Sequence, residues 1–148
     1  MNKLHHHTIS NVWKPNSDTG TKNYYSHSKD HEKVVKGKSV IFSSSDKAFR
    51  GYLNRYNPGE MLLASLSSCH MLCYLQLCAN AGIVVVEYED LALGTMEESA
   101  TGGGKLIEIV LQPEVKVTDE NIIEGSNSLH QKAHELCFIA NSVNFFVR

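Results

Sequence analysis

The sequence predicts an α+β protein in which sheets pack on a long apolar helix. Three observations predict it. β-Branched runs occur before residue 57 and again between residues 84 and 117. A single strongly signalled helix runs from Asn57 towards Gly82. A second helical periodicity follows Thr118. Strands, helix, strands and helix in that order bury their apolar faces most simply as sheets packed on helices.

The elements follow in chain order. Thr8 to Trp13 reads as a short strand with Ile9 and Val12 as core contacts. KPNSDTGTKN, residues 14 to 23, is rich in turn formers and predicts a loop. Val34 to Phe42, VVKGKSVIF, places two β-branched runs around Lys-Gly and predicts a hairpin. Ser43 to Tyr56 is polar and irregular. Asn57 then offers an N-cap, Pro58 suits the first helical position, and Glu60 completes a capping-box pattern. Gly82 is a natural stop, which leaves a helix of roughly 23 residues. It is apolar on most sides, so it is expected to run through the core. Val84 to Met96 and Lys105 to Val117 predict a long antiparallel hairpin turned by Thr101-Gly-Gly-Gly, with Ile107, Ile109 and Leu111 on one face. Thr118 or Asp119 caps the second helix, along which Ile122, Leu129, Ala133 and Leu136 or Cys137 recur. Val143 to Val147 is expected to be a final strand.

The 148 residues suit one domain, 1–148, with a core that needs no staples. The formal charge of −2 and pI near 6.4 provide no basic field for nucleic acid or anionic lipid, so neither is expected as a partner. Met61 to Ala79 is the longest apolar stretch, but Ser65, Ser67, Ser68, His70 and Gln76 interrupt it, which argues against a membrane span. The N-terminus lacks an apolar signal region, and a cytoplasmic setting is the expectation. His5 to His7 decide nothing by themselves. In a reducing compartment four cysteines suggest buried thiols, a metal site or redox chemistry rather than a disulfide framework.

Cys69, Cys73 and Cys78 share the first helix, and Cys137 ends the second. Cys69 and Cys73 share a face, yet parallel side chains four apart on a helix make a strained bridge. A partner from elsewhere, such as Cys137, suits disulfide geometry better. The alternative is that all four are small buried hydrophobes. Ser65, Ser67, Ser68 and His70 leave room and polarity around Cys69. A buried thiol has a raised pKa, so a nucleophilic Cys69 calls for a nearby cation, with Lys29, Arg50, Arg55 and the histidines as candidates. Cys69, His70, His134 and Cys137 could also be read as a metal set, but neighbours such as Cys69 and His70 point in different directions on a helix. His130 and His134 read as surface or helix-end histidines, and Asp46, Glu89 and Asp90 as solvated. Glu60 either orients a cation or serves the cap. Gly102 to Gly104 is no phosphate loop, because Lys105 is not followed by Ser or Thr.

The segment SSDKAFRGYLNRYNPGEMLLASLSSCHMLCYLQLCANAG resembles the central segment of OsmC-like proteins, including the Ohr type. HELCFIANSVNFFV resembles the second-cysteine segment of one branch, and GTKNYYSHSKDHE its N-terminal region. The resemblance covers nearly the whole chain from about His7. It implies an OsmC-like α+β fold, with antiparallel sheets wrapped around two central helices in an intertwined homodimer. It implies a thiol-dependent peroxidase that reduces organic hydroperoxides and, less efficiently, hydrogen peroxide. Cys69 takes the peroxidatic position and Cys137 the resolving one. The implied reductant is a dithiol, from a lipoylated protein or a small thiol, with no bound metal or organic cofactor. Two positions depart from the family pattern. Lys29 replaces the family arginine, and a lysine lacks the planar fork that holds a thiolate and a carboxylate together. Gly59 stands where the family carries its partner carboxylate, and Glu60 follows about 100° further round the helix. These changes point to a second reading, a catalytically weak ligand-binding or stress-associated dimer.

Overall fold

A computed structural model describes residues 2–14 and 19–148. Residues 15–18 of the expected loop lie outside the described residues. The chain forms two compact units, Met1–Met61 and Leu62–Arg148.

In the first unit, β1 (Ser10–Val12), β2 (His31–Val34) and β3 (Ile41–Ser43) form an antiparallel sheet in the order β1-β2-β3. Asn11 faces Lys33, and Glu32 faces Phe42. The expected hairpin is there, but its first strand starts upstream of Val34, at His31, and ends as the expected one begins. The polar stretch that follows holds itself with its own side chains. Ser44 is fully buried; its hydroxyl donates to Asp30 Oδ1 at 2.8 Å and accepts the Tyr52 N–H at 3.1 Å. Asp46 caps the 3-10 turn Lys47–Phe49 by accepting from the Ala48 N–H at 2.8 Å.

Helix α1 (Pro58–Asn80) begins as its sequence predicts. Asn57 Oδ1 accepts from the Glu60 N–H at 2.9 Å, and Glu60 Oε2 accepts from the Asn57 N–H at 3.0 Å. This reciprocal box satisfies two of the amides that a helix start leaves open. At the other end Gly82 takes φ 72°, and the Ile83 N–H reaches the Cys78 carbonyl at 2.9 Å. Only glycine enters that left-handed region without strain.

In the second unit α1 buries Leu66, His70, Tyr74 and Cys78, one residue in every four. The all-round burial expected of it is not realised within the chain. Leu72 is 63% exposed, because this chain's own sheets and second helix cover one stripe only. By length and composition alone α1 could cross a membrane, but its buried stripe carries His70 and Tyr74 and packs on the chain's own strands and second helix.

The long hairpin is divided into two ladders. β4 (Val85–Asp90) pairs with β7 (Pro113–Val117), and β5 (Leu93–Glu98) pairs with β6 (Gly104–Val110) across the glycine-rich turn. The division falls where Asp90 accepts the Gln112 N–H at 2.6 Å and also the hydroxyl of Ser67 on α1. Asp90 is therefore a tie between helix and hairpin, not the solvated residue its local sequence suggests. A bulge at Ile107 sets Thr95 opposite Glu108 and Met96 opposite Leu106. One extra residue reverses the faces beyond it. Leu106, Ile109 and Leu111 consequently pack in the core while Ile107 turns out, correcting the period-two face Ile107–Ile109–Leu111. Gly94 on β5 permits close approach to α1: a Cβ there would lie 2.6 Å from Leu63 Cδ1.

Helix α2 (Ile123–Leu136) follows a 3-10 turn, Glu120–Ile122, capped by Asp119, which accepts the Asn121 N–H at 2.9 Å. Cys137 rather than Leu136 faces the interior. The final strand shrinks to β8 (Phe146–Val147), parallel to β6, and follows a 3-10 turn at residues 140–142. Two clusters make the core: Leu66, Ile109 and Cys137 in one, Tyr74, Cys78 and Ala133 in the other.

Candidate functional site

Cys69 lies on α1 beside the buried stripe and packs, half-buried, against the Leu66–Ile109–Cys137 cluster. Cys137 is delivered from the opposite direction. It is the C-cap of α2, where the backbone becomes extended (φ −69°, ψ 111°). The chain then folds tightly back: the Ala140 N–H donates to Cys137 Sγ at 3.4 Å, and the Asn141 N–H donates to the Cys137 carbonyl at 3.0 Å. All four cysteines are free thiols.

The two cysteines come together at this cluster. Burial pushes the Cys69 thiol up, but hydrogen bonds from the Cys137 thiol, the Ile139 and Phe138 N–H groups and the Cys73 thiol together outweigh it and leave it below its ordinary value. Cys137 moves the other way, to about 11, through burial and its bond to Cys69, against the opposing Ala140 and Ile139 N–H groups. Cys73 is also raised, by burial and by the Cys69 charge. Within this cluster the negative charge is best placed on Cys69 and the protons on its two thiol neighbours. Of the three thiols, Cys69 is the one that gives up its proton most readily.

The other predicted site residues, Lys29 and Glu60, belong to the first unit. There the Lys29 ammonium donates to the Tyr24 carbonyl at 2.9 Å, lies 2.8 Å from His27 Nε2, and sits 4.1 Å over the Tyr24 ring. Glu60 closes the α1 cap. Arg50, at φ 63°, lies 4.6 Å over the Tyr25 ring; Arg55 lies 5.2 Å over Phe42 and 3.5 Å from Asp30.

A second group was not legible as one. His70 Nε2 is 3.1 Å from His130 Nδ1, the two rings are parallel at 5.4 Å, and His130 stacks on Tyr74 at 4.0 Å. Tyr74 Oη meets Ser126 Oγ at 2.5 Å. His130 is thus part of a packed stack, not a surface histidine. The signal available was His70's spacing of four from Leu66 and Tyr74, which places it in the buried stripe. The two imidazoles border a cavity of about 400 Å³ that Leu111, His134 and Arg148 also line. Among the described residues no group of three or more His, Cys, Asp or Glu side chains is placed to hold a metal ion.

Burial and the neighbouring His130 and His134, against weak opposition from Asp90, hold His70 at about 4, below its ordinary 6.5. This sets an acid response. The unfolded chain takes up a proton as pH falls through 6.5, while the folded chain refuses it until about 4. Stability is therefore full above that window and is lost across it, by roughly 3 kcal/mol. Denaturant unfolding measured at a series of pH values should show this slope in the wild type and a shallower one in His70→Gln.

A family model described as OsmC-like protein matches residues 51–147. Among solved structures, an OsmC-like protein of unknown function from Vibrio cholerae is similar at 30% identity and TM-score 0.86, covering 97% of each chain. An organic hydroperoxide resistance protein from Elizabethkingia anophelis shares the fold at 20% identity and TM-score 0.69, covering 99% of this chain and 95% of that one. One from Legionella pneumophila does so at 17% identity and TM-score 0.64, covering 97% and 98%. No curated protein sequence matches the chain.

Proposed function

Because the chain belongs to the OsmC-like family, we propose that it is a thiol-dependent peroxidase for organic hydroperoxides and, less efficiently, hydrogen peroxide, with residues 1–148 acting as one domain. The Cys69 thiolate attacks the outer oxygen of the O–O bond. Sulfur gains that oxygen as a sulfenic acid, and the alkoxide leaves and takes a proton to become the alcohol. The Cys137 thiol then condenses with the sulfenic acid, forming a Cys69–Cys137 disulfide and releasing water. An external dithiol returns both cysteines to thiols by exchange. The observation that carries this reading is the contact between an acidic Cys69 and a protonated Cys137. No metal or organic cofactor enters the scheme.

The proposed working form is a cytoplasmic homodimer. Leu72 on α1, Met96 on β5 and Phe138 after Cys137 are 63%, 51% and 75% exposed, apolar surface that a partner copy would cover. Lys29 is retained as the proposed replacement for the family arginine and Glu60 as the candidate carboxylate. Both already have other work, on Tyr24 and in the helix cap. That engagement favours a second reading, a catalytically weak ligand-binding or stress-associated dimer. Hydroperoxide consumption in the presence of a dithiol decides between them. The peroxidase reading expects wild type to exceed Cys69→Ser clearly, and equal rates would overturn it.

A further inference from the structure

We propose that Cys73 is a positioning residue that donates its S–H to the Cys69 thiolate and so supports the nucleophile from within its own helix. Cys73 stands one turn along α1 from Cys69, on the same face. It packs against both core clusters at once, so its side chain is held between Leu66–Ile109–Cys137 on one side and Tyr74–Cys78–Ala133 on the other. From there its thiol lies one helical turn from Cys69, and both side chains pack on the Leu66–Ile109–Cys137 cluster.

Two roles were open to a thiol in that place, and the helix selects one. Resolution would require a Cys69–Cys73 bridge, which parallel side chains on adjacent turns form only with strain. Donation requires only that Cys73 keep its proton beside an anionic sulfur. Burial and the Cys69 charge both favour that protonated state. Cys73 then acts alongside Cys137 and the Ile139 and Phe138 amides, which also lower the Cys69 thiol, all from residues 62–148. Cys73 is neither oxidised nor reduced in the cycle; it sets how much of Cys69 is thiolate at a given pH.

The inference rests on Cys69 being the attacking thiol, but its test does not need peroxide. Full-length reduced protein is treated with iodoacetamide over about pH 5 to 10, and alkylation of the Cys69 peptide is resolved by mass spectrometry. Cys73→Ala should raise the Cys69 midpoint by about half a unit to one unit, the range for a weak donor lost from a charged acceptor. Cys73→Ser keeps a donor and should return the midpoint to the wild-type value or below. An unchanged midpoint in Cys73→Ala, or equal shifts in the alanine and serine variants, would overturn the proposal and leave Cys73 a packing residue. Should Cys73→Ala lose its helical signal, Cys73→Val fills the volume without a donor and is judged by the same two outcomes. Failure here appears as an unmoved titration, whereas failure of the peroxidase reading appears as equal peroxide consumption by wild type and Cys69→Ser.

Discussion

Cys69→Ser should lower hydroperoxide consumption at least about a hundredfold, the scale on which a nucleophile knockout acts, while Cys137→Ser should consume about one equivalent and then stall. The two variants fail at different steps. Serine at position 69 has no thiolate to attack the O–O bond. Serine at position 137 leaves the attacking sulfur intact, and the sulfenic acid it forms has lost the thiol of the cluster it packs against. A dimedone adduct on Cys69 should therefore accumulate in Cys137→Ser and not in the wild type. Under substoichiometric peroxide the wild type should instead give the Cys69–Cys137 disulfide by peptide mapping. A disulfide from Cys69 to Cys73 in the wild type would contradict both the helix geometry and the assigned resolver.

Leu66→Ala should cost about 2 to 5 kcal/mol of unfolding free energy, the range for truncating a buried leucine. Leu66 is 1% exposed and shares its cluster with Ile109 and Cys137, at 0% and 1%. Its loss opens a cavity directly behind the sulfurs, where neither β6 nor the end of α2 can collapse freely: β6 is held by β5 and β8, and Cys137 by the Asn141 and Ala140 amides. Urea unfolding reads the stability loss. The same variant should form the Cys69–Cys137 disulfide more slowly, because the contact depends on that packing; quenched-flow alkylation after a peroxide pulse measures it. A loss under about 1 kcal/mol would show that the cluster is not the support described.

Much of the layout was legible because its signals are local. Asn57, Pro58 and Glu60 specify a helix start through their own bonds, and Gly82 specifies its end through its own backbone. The Val34–Phe42 turn and the Asp119 cap are equally local. What escaped is set by distant partners. The long hairpin splits because Asp90 reaches Gln112 and Ser67, residues 22 and 23 positions away. The bulge at Ile107 is a matter of register with β5, and period-two counting along one strand has no access to it. His70 reads as polar in composition, yet it is buried against His130 from another helix. At the thiol site the motif resemblance indicated Cys69 and Cys137, and the helix argument disfavoured a bridge to Cys73. That the Phe138 and Ile139 amides also approach Cys69 depends on the backbone turn after α2, which side-chain patterns do not encode.

The four-residue spacing of the α1 stripe has a mechanical consequence. Four residues advance a helix by about 400°, so each buried contact from Leu66 to Cys78 is rotated about 40° from the last. The core therefore grips α1 along a spiral of about 120°. A cylinder seated on a straight line of contacts can roll; one held along a thread resists torque. Cys69 flanks that thread, so the helix behaves as a screw seated in its nut, and the azimuth at which Cys69 approaches Cys137 is fixed by the pitch of the stripe.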